Sequence, residues 1–430
     1  MNSLLPTLTL SEWTSVTPDE TNVLRHCILN QKDRSLLAEI HKNTSLRIDE
    51  LSQGLKISVG PHVGTVTLSQ LHLIITPKLR LDTLLGMVAY AFEISHGLLT
   101  PGQSSDFNAE HGLTDLLGFA LLKAVQRLNR YGLIPRYQEQ CKELRSPRGR
   151  ILMVPHTLQK NRSTLSCRFH TLTSDHLLNQ TLATGLRLAA TLVQHPKLRR
   201  DLMGAAHRIL PGNTLESLNR TTLAAACNTL DRHSSHYRST LSLIAAFVQS
   251  SYLNPLGMGE TPITAFLLDM NRLFEGFVTR HLQEQAPADM LVRSQDVRHG
   301  VFTFLDNPNG WSHPTLRPDL VFLQHGQPLA IGDVKYRDHQ KKPPSTQELY
   351  QLVSYGLAYP LPEPRDVFLF YPLPSGSVSQ AARLRFAPQE LAQPIYIQLV
   401  VVPIDRIVSG EPWWPMINLT EKRWANDVRR

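Results

Sequence analysis

The chain has 430 residues, 42% hydrophobic and 19% charged, which excludes global disorder and allows two or three domains of ~100–200 residues each. Lys plus Arg number 44 against 36 Asp plus Glu, a formal charge of +8, so an acidic character is excluded and a polyanionic partner is compatible with the charge. Of those 44 cations 32 are Arg, whose planar fork of donors suits phosphate and carboxylate.

The four cysteines, Cys27, Cys141, Cys167 and Cys227, lie far apart without a Cys-x-x-Cys pair. That argues against a zinc ribbon or a disulfide scaffold and fits a reducing compartment. Residues 1–10 lack the cationic start and apolar stretch of a signal peptide. Apolar runs such as 241–248 fall short of the ~20 residues a membrane span needs, so a cytoplasmic protein with no membrane association is expected.

Along the chain, residues 1–95 mix short strand-like runs with Gly and Pro, and predict a β-rich module. Residues 55–59 alternate, Gly60-Pro61 turns, and 63–68 and 71–76 read as a hairpin closed by Pro77. Residues 96–255 predict a mostly helical, basic middle region. Leu113, Leu116, Leu117, Ala120, Leu121, Ala124 and Leu128 form one apolar stripe on a helix over about 112–131. Between Gly118 and His170 there are 11 Lys or Arg against two Glu, including Arg145, Arg148 and Arg150. This stretch reads as a solvated basic face, a nucleic-acid track or a docking face for an acidic protein.

Helices are expected over 177–193 and about 221–249. His233 and His236 lack further nearby ligands and read as solvated rather than as a metal pair. The Pro- and Gly-bearing run 254–262 is the expected boundary of a third domain, 256–430. No Gly is followed by Lys anywhere, so a P-loop is absent from the sequence.

The chemistry concentrates in residues 264–359. Phe266, Met270, Leu273, Phe274, Phe277 and Val278 predict one amphipathic helix with Glu275 at the edge of its stripe. Strands follow at 301–305, 318–323 and 329–336, the last two joined by Gln324-His-Gly-Gln327, and a helix starts near Ser345. Alternation puts Ile331, Asp333 and Lys335 on one strand face. A turn centred on Gly326 sets Asp319 opposite Asp333, and a bulge would shift that register by one residue. Two carboxylates at ~4.5–5.5 Å repel unless a cation lies between them, and such oxygen-rich pairs suit Mg²⁺, with Mn²⁺ as a substitute. Lys335 then orients an attacking water and offsets charge on the transition state. Glu275 is expected to complete the metal shell directly or through water, and Gln351 and Tyr355, one helical turn apart, to steady the lysine or a DNA phosphate. Asp333-Val-Lys335 is the only Asp/Glu-x-Lys triplet in the chain. The bland alternative is a surface hairpin with solvated charges.

Arg317-Pro318-Asp319 followed by Gly332-Asp333-Val334-Lys335-Tyr336 resembles the PD-(D/E)xK nuclease superfamily, and Gln351-x-x-x-Tyr355 is similar to the helix motif of its RecB-like branch. The wider pattern resembles the McrC family, the nuclease subunit of McrBC-type restriction systems. It comprises Asp269-Met-Asn-Arg-Leu-Phe-Glu275, the Pro-Asp hairpin, Val63-Gly64-Thr-Val-Thr-Leu, Ile74-Ile75-Thr-Pro77-Lys78, and Arg148-Gly149-Arg150 ahead of Asp175-His-Leu-Leu-Asn179. The resemblance implies an α+β or α/β multidomain protein with a restriction-endonuclease-like C-terminal domain. It also implies Mg²⁺-dependent cleavage of double-stranded DNA beside an McrB-type AAA+ GTPase hexamer, with docking by the N-terminal module and modified cytosine read by the partner. Within it Asp319, Asp333 and Glu275 would hold metal, Lys335 would be catalytic, and Gln351 and Tyr355 would support the site. The alternatives are a non-catalytic adaptor of the AAA+ ring and a nuclease serving a different helicase in phage defence.

Overall fold

The computed structural model describes residues 5–92, 94, 112–152, 164–212, 215, 218–253, 264–337, 342–373, 382–389 and 393–415. The expected boundary loop at 254–262 and part of the basic stretch, 153–163, lie outside the described residues.

Near the N-terminus, Thr7–Ser11 runs parallel to His72–Thr76, which pairs antiparallel with His62–Thr67. The expected hairpin is present. The same sheet continues through Thr264–Asp269 to Ser251–Leu253, giving five strands. Residues 264–269 are therefore a strand of the first sheet rather than the opening of a helix. Phe266 belongs to that strand, and the helix begins at Met270. The five apolar or small residues Thr264-Ala-Phe-Leu-Leu268 are all buried, as in a strand covered on both faces, and such a run mimics helical spacing over a short window. The sheet also crosses the expected division at 255/256.

Gly64 shows why this sheet packs closely. It sits at φ +143°, and a Cβ placed there would lie 2.0 Å from the Phe266 carbonyl oxygen. A second small sheet orders Ser15–Val16, Gly54–Ser58 and Arg47–Leu51 over the helix Gln31–Asn43, whose Asn30–Asp33 capping box satisfies its first amides.

Helices Leu113–Tyr131, Leu177–Leu192, Pro196–Ile209, Arg220–Asn228 and Arg238–Ser250 build the middle region. The first bears the expected stripe and stops at Gly132, φ +89°. The single helix expected over 221–249 is two. Asp231 and Ser234 hydrogen-bond each other's backbone amides and side chains, which makes a turn the helix would have to break. Between the first two helices, Arg136–Leu144 and Leu165–Thr173 form an antiparallel arm with Arg150–Ile151 at its edge.

The last sheet has six strands in the order Met290–Ser294, Leu320–Gln324, Gln327–Val334, Arg365–Pro372, Ile395–Val402 and Ala382–Phe386. The central pairs Gln327–Val334 with Arg365–Pro372, and Arg365–Pro372 with Ile395–Val402, are parallel. Alternation divides its side chains between two cores. Leu320, Phe322, Phe368 and Phe370 join the helix Met270–Gln285 and the middle region. Val321, Leu323, Ile331, Val367 and Leu369 pack under the helix Thr346–Ala358. The strand expected at 301–305 is absent, and Met290–Ser294 takes its place in the sheet. Leu305 is 97% exposed, so that apolar run has no layer to cover it. Among the described residues no helix is long and apolar enough to cross a membrane.

Candidate functional site

The site grows out of the hairpin between Leu320–Gln324 and Gln327–Val334. Its turn is His325-Gly326, both at positive φ (50° and 79°), the two-residue geometry that suits right-twisted strands. Gln324 pairs with Gln327 and Leu323 with Pro328, but Phe322 pairs with Ala330, so Leu329 is an extra residue at a bulge. From there the ladder runs through Val321 with Ile331 to Leu320 with Gly332, and its next step is Asp319 with Asp333. The turn is not centred on Gly326, as the sequence suggested. A straight ladder from the actual turn would have set Asp319 opposite Gly332, and the bulge moves it to Asp333.

Gly332 makes room for this end of the sheet, since a Cβ there would lie 2.7 Å from the Phe370 ring. Asp333 is 2% exposed and its Oδ2 lies 2.8 Å from Lys335 Nζ. Asp319 accepts the Val334 amide at 2.9 Å. Burial, then the charge of Asp319, push the Asp333 carboxyl up to about 6 in spite of the lysine. Burial followed by the Glu275 charge raises Asp319 as well. Neighbouring carboxyls whose charged forms are disfavoured by burial and by nearby negative charge mark a place where positive charge is favoured. Burial disfavours the Lys335 ammonium, yet Asp333 and Asp319 together raise its pKa above the ordinary value.

Glu275 comes from the helix Met270–Gln285 on the opposite face. Its carboxylate accepts a hydrogen bond from the Gln295 side-chain amide, which also reaches Asp319 Oδ1 at 3.5 Å. Burial raises the Glu275 pKa. Glu275 thus stands beside Asp319 with the Gln295 side chain between them. Among the described residues no group of three or more His, Cys, Asp or Glu is disposed to hold a metal ion. Gln295 and Lys335 already engage the outer oxygens. The donor set still fits Mg²⁺, which is commonly held by one or two carboxylates, its remaining positions filled by waters and substrate phosphate.

Sequence reasoning missed Gln295. It follows the strand Met290–Ser294 at φ 53°, and its amide also donates to the Asp319 carbonyl at 3.0 Å. No sequence pattern marks it, because its role arises from the pairing of its strand with Leu320–Gln324.

The helix Thr346–Ala358 opens with a capping box between Ser345 and Glu348. It carries Gln351, whose amide donates to the Tyr355 hydroxyl at 2.7 Å, and that hydroxyl donates to the Arg317 carbonyl at 3.1 Å. These two side chains brace the strand entry that delivers Pro318-Asp319.

Arg145, Arg148 and Arg150 stand elsewhere, exposed at the end of the arm, with the Arg148 guanidinium over the Phe169 ring at 4.7 Å. His233 is exposed and the His236 ring rests against Tyr131 and Tyr237, so these two form no ligand pair. A cavity of about 730 Å³ lined by His62, Arg220, Asp269 and Arg272 contains none of the paired carboxylates.

Fold and site together define a mixed α/β protein with several sheets and, at the mouth of one hairpin, two neighbouring aspartates beside a lysine. Residues 57–372 match the family described as McrBC 5-methylcytosine restriction system component, and the chain belongs to that family. A chain from the refined half-complex of the tetradecameric assembly of Thermococcus gammatolerans McrB AAA+ hexamers with bound McrC is similar in fold. It shares 18% identity over 92% of this chain and 94% of its own, with a TM-score of 0.58. The cryo-EM structure of the Thermococcus gammatolerans McrBC complex matches less well, at 20% identity over 65% of this chain and 88% of its own and a TM-score of 0.44. No curated protein matches the chain.

Proposed function

We propose that this chain is the Mg²⁺-dependent DNA endonuclease subunit of a modified-cytosine-dependent restriction system, of the PD-(D/E)xK type, acting with an McrB-type AAA+ GTPase hexamer. The observation that carries the reading is the pair of buried Asp333 and half-buried Asp319, with Lys335 Nζ 2.8 Å from Asp333. Family membership supports the restriction role, and the assembly formed by the similar Thermococcus gammatolerans protein supports the AAA+ partner.

In this reading Asp319 and Asp333 hold the ion. When bound, Mg²⁺ would stabilise charge growing on the scissile phosphate and lower the pKa of the attacking water. Lys335 keeps its ammonium at the pair, where it orients that water and offsets negative charge on the phosphate. Glu275, tied through Gln295 to Asp319, holds the far side of the pair, and Gln351 and Tyr355 fix the entry to Asp319. The cations of the arm, Arg145, Arg148 and Arg150, serve DNA or the partner. Residues 256–430 hold the nuclease chemistry, and residues 1–95 are the partner-docking module.

The test is cleavage of 5-methylcytosine-containing DNA by the full chain with its AAA+ partner, GTP and Mg²⁺. Asp333→Ala is expected to abolish cleavage while leaving partner binding intact, and equal cleavage by variant and parent would refute the assignment. One other reading is a non-catalytic adaptor of the ring, compatible with the absence, among the described residues, of three or more gathered ligand side chains. A calorimetric Mn²⁺ titration separates the two, because an adaptor shows no binding lost on Asp333→Ala.

A further inference from the structure

The chain leaves the site through a contact that the chemistry above does not use. Lys335 donates its amide to Phe370 O at 2.9 Å, and Arg337 donates its amide back to Lys335 O at 3.0 Å, so the backbone turns sharply at Tyr336. The Tyr336 ring is 5% exposed and packs against Phe274, the residue before Glu275, with centroids 5.9 Å apart. Its hydroxyl donates to Glu12 Oε1 at 3.0 Å. Glu12 lies 324 residues away in sequence, at the end of the first sheet, and is 0% exposed.

Glu12 is itself held firmly. Its amide donates to Thr76 O at 3.1 Å, and its Oε1 also accepts the Lys78 amide at 2.7 Å. Its other oxygen, Oε2, is buried without a hydrogen-bond partner. An apolar pair would fill this space at lower cost, whereas a carboxylate–phenol bond adds direction. Next to Glu12, Trp13 turns at φ 61° and lies under the Arg337 guanidinium at 5.6 Å. Arg337 in turn pairs with Glu348, the capping residue of the helix that carries Gln351 and Tyr355. The end of the first sheet thus grips the two residues that follow Lys335.

We propose that Glu12 is a positioning residue of the paired-carboxylate site: by accepting the Tyr336 hydroxyl it fixes the turn after Lys335 and holds the lysine's ammonium on Asp333. The inference rests on the nuclease reading for its catalytic consequence, but not for its geometry.

The experiment uses the full chain and the variants Tyr336→Phe, Glu12→Ala and Glu12→Gln. One readout is DNA cleavage with the AAA+ partner, GTP and Mg²⁺. A second is the rate at which an amine-acylating reagent modifies Lys335, followed by mass spectrometry without DNA, metal or partner. Tyr336→Phe and Glu12→Ala are expected to lower kcat about 10-fold or more, with KM for DNA held within about 2-fold, as a small displacement of a catalytic group does. Lys335 acylation should speed up several-fold in both. Glu12→Gln keeps an acceptor oxygen and should restore most of kcat. Should Glu12→Ala fail to fold, Tyr336→Phe, which retains the ring against Phe274, carries the test. Parental kcat and parental Lys335 reactivity in folded Tyr336→Phe overturn the proposal. A parent that does not cleave, while Lys335 reactivity still responds to Tyr336→Phe, removes the nuclease reading and leaves the positioning role standing.

Discussion

Lys335 and Asp333 point to the same side of one strand end and meet at 2.8 Å, with the aspartate almost wholly buried and the lysine partly exposed. A buried carboxyl raised to about 6 shows that this ammonium does not fully offset the combined burial and Asp319 charge.

Replacing the lysine removes the only positive side chain ion-paired with Asp333 among the described residues. Lys335→Met is expected to reduce kcat for DNA cleavage by about 10²–10³-fold, the usual loss for a group that stabilises transition-state charge. Single-turnover cleavage with saturating Mg²⁺ measures it, and a loss confined to KM would contradict the role.

Tyr355→Phe deletes the hydroxyl that donates to Arg317 O and accepts from Gln351. The part-buried hydrogen bond to the Arg317 carbonyl is lost, which costs about 0.5–1.5 kcal/mol. Chemical denaturation should register that loss, and cleavage should fall with it because Asp319 lies two residues further on.

The tight crossing of the first sheet makes Gly64→Ala a sharp test of its packing. A methyl at 2.0 Å from Phe266 O, at φ +143°, cannot be accommodated without moving one strand. Destabilisation of at least about 1–3 kcal/mol is expected, read as a lower denaturation midpoint. A parental midpoint would place the two strands further apart.

Acid should weaken the fold through its histidines. Burial lowers the pKa of His41, His62, His72, His176 and His281, so each is neutral when folded. The unfolded chain takes up protons near the ordinary value of ~6.5, and binds more of them than the folded chain below it. Stability should therefore fall as pH drops from about 7 through this window. Asp333, raised to about 6, works in the opposite sense within this window, and Glu12 and Asp366, also raised by burial, do so at the ordinary carboxyl values and just above, where the folded chain takes up the protons first; the five histidines outnumber Asp333 and set the sign. Denaturation midpoints measured from pH 7.5 downwards test the sign.

Much of the site was legible because its residue types are local. Asp333 and Lys335 are two apart on one strand, and Gln351 and Tyr355 are one helical turn apart, so periodicity alone aligned them. Gln295 and Glu12 were not legible, since each acts through a strand pairing or a sheet contact that has no local pattern. Short apolar runs misled in both directions. Residues 264–268 looked helical because a doubly covered strand has no alternation, and 301–305 looked like a strand although nothing covers it. The helices at 113–131 and 177–192 were clear, because a long stripe outweighs its exceptions.

The bulge at Leu329 also sets how this gene can vary. Substitutions at His325 or Gln327 change only an exposed tip, while Gly326 is held by its positive φ, but losing or gaining one codon between residues 323 and 332 would turn Asp333 and Lys335 over to the Phe368 side together. Drift in this hairpin should therefore spare its length more strictly than its letters, and relatives that keep the chemistry should differ here by replacement and not by insertion.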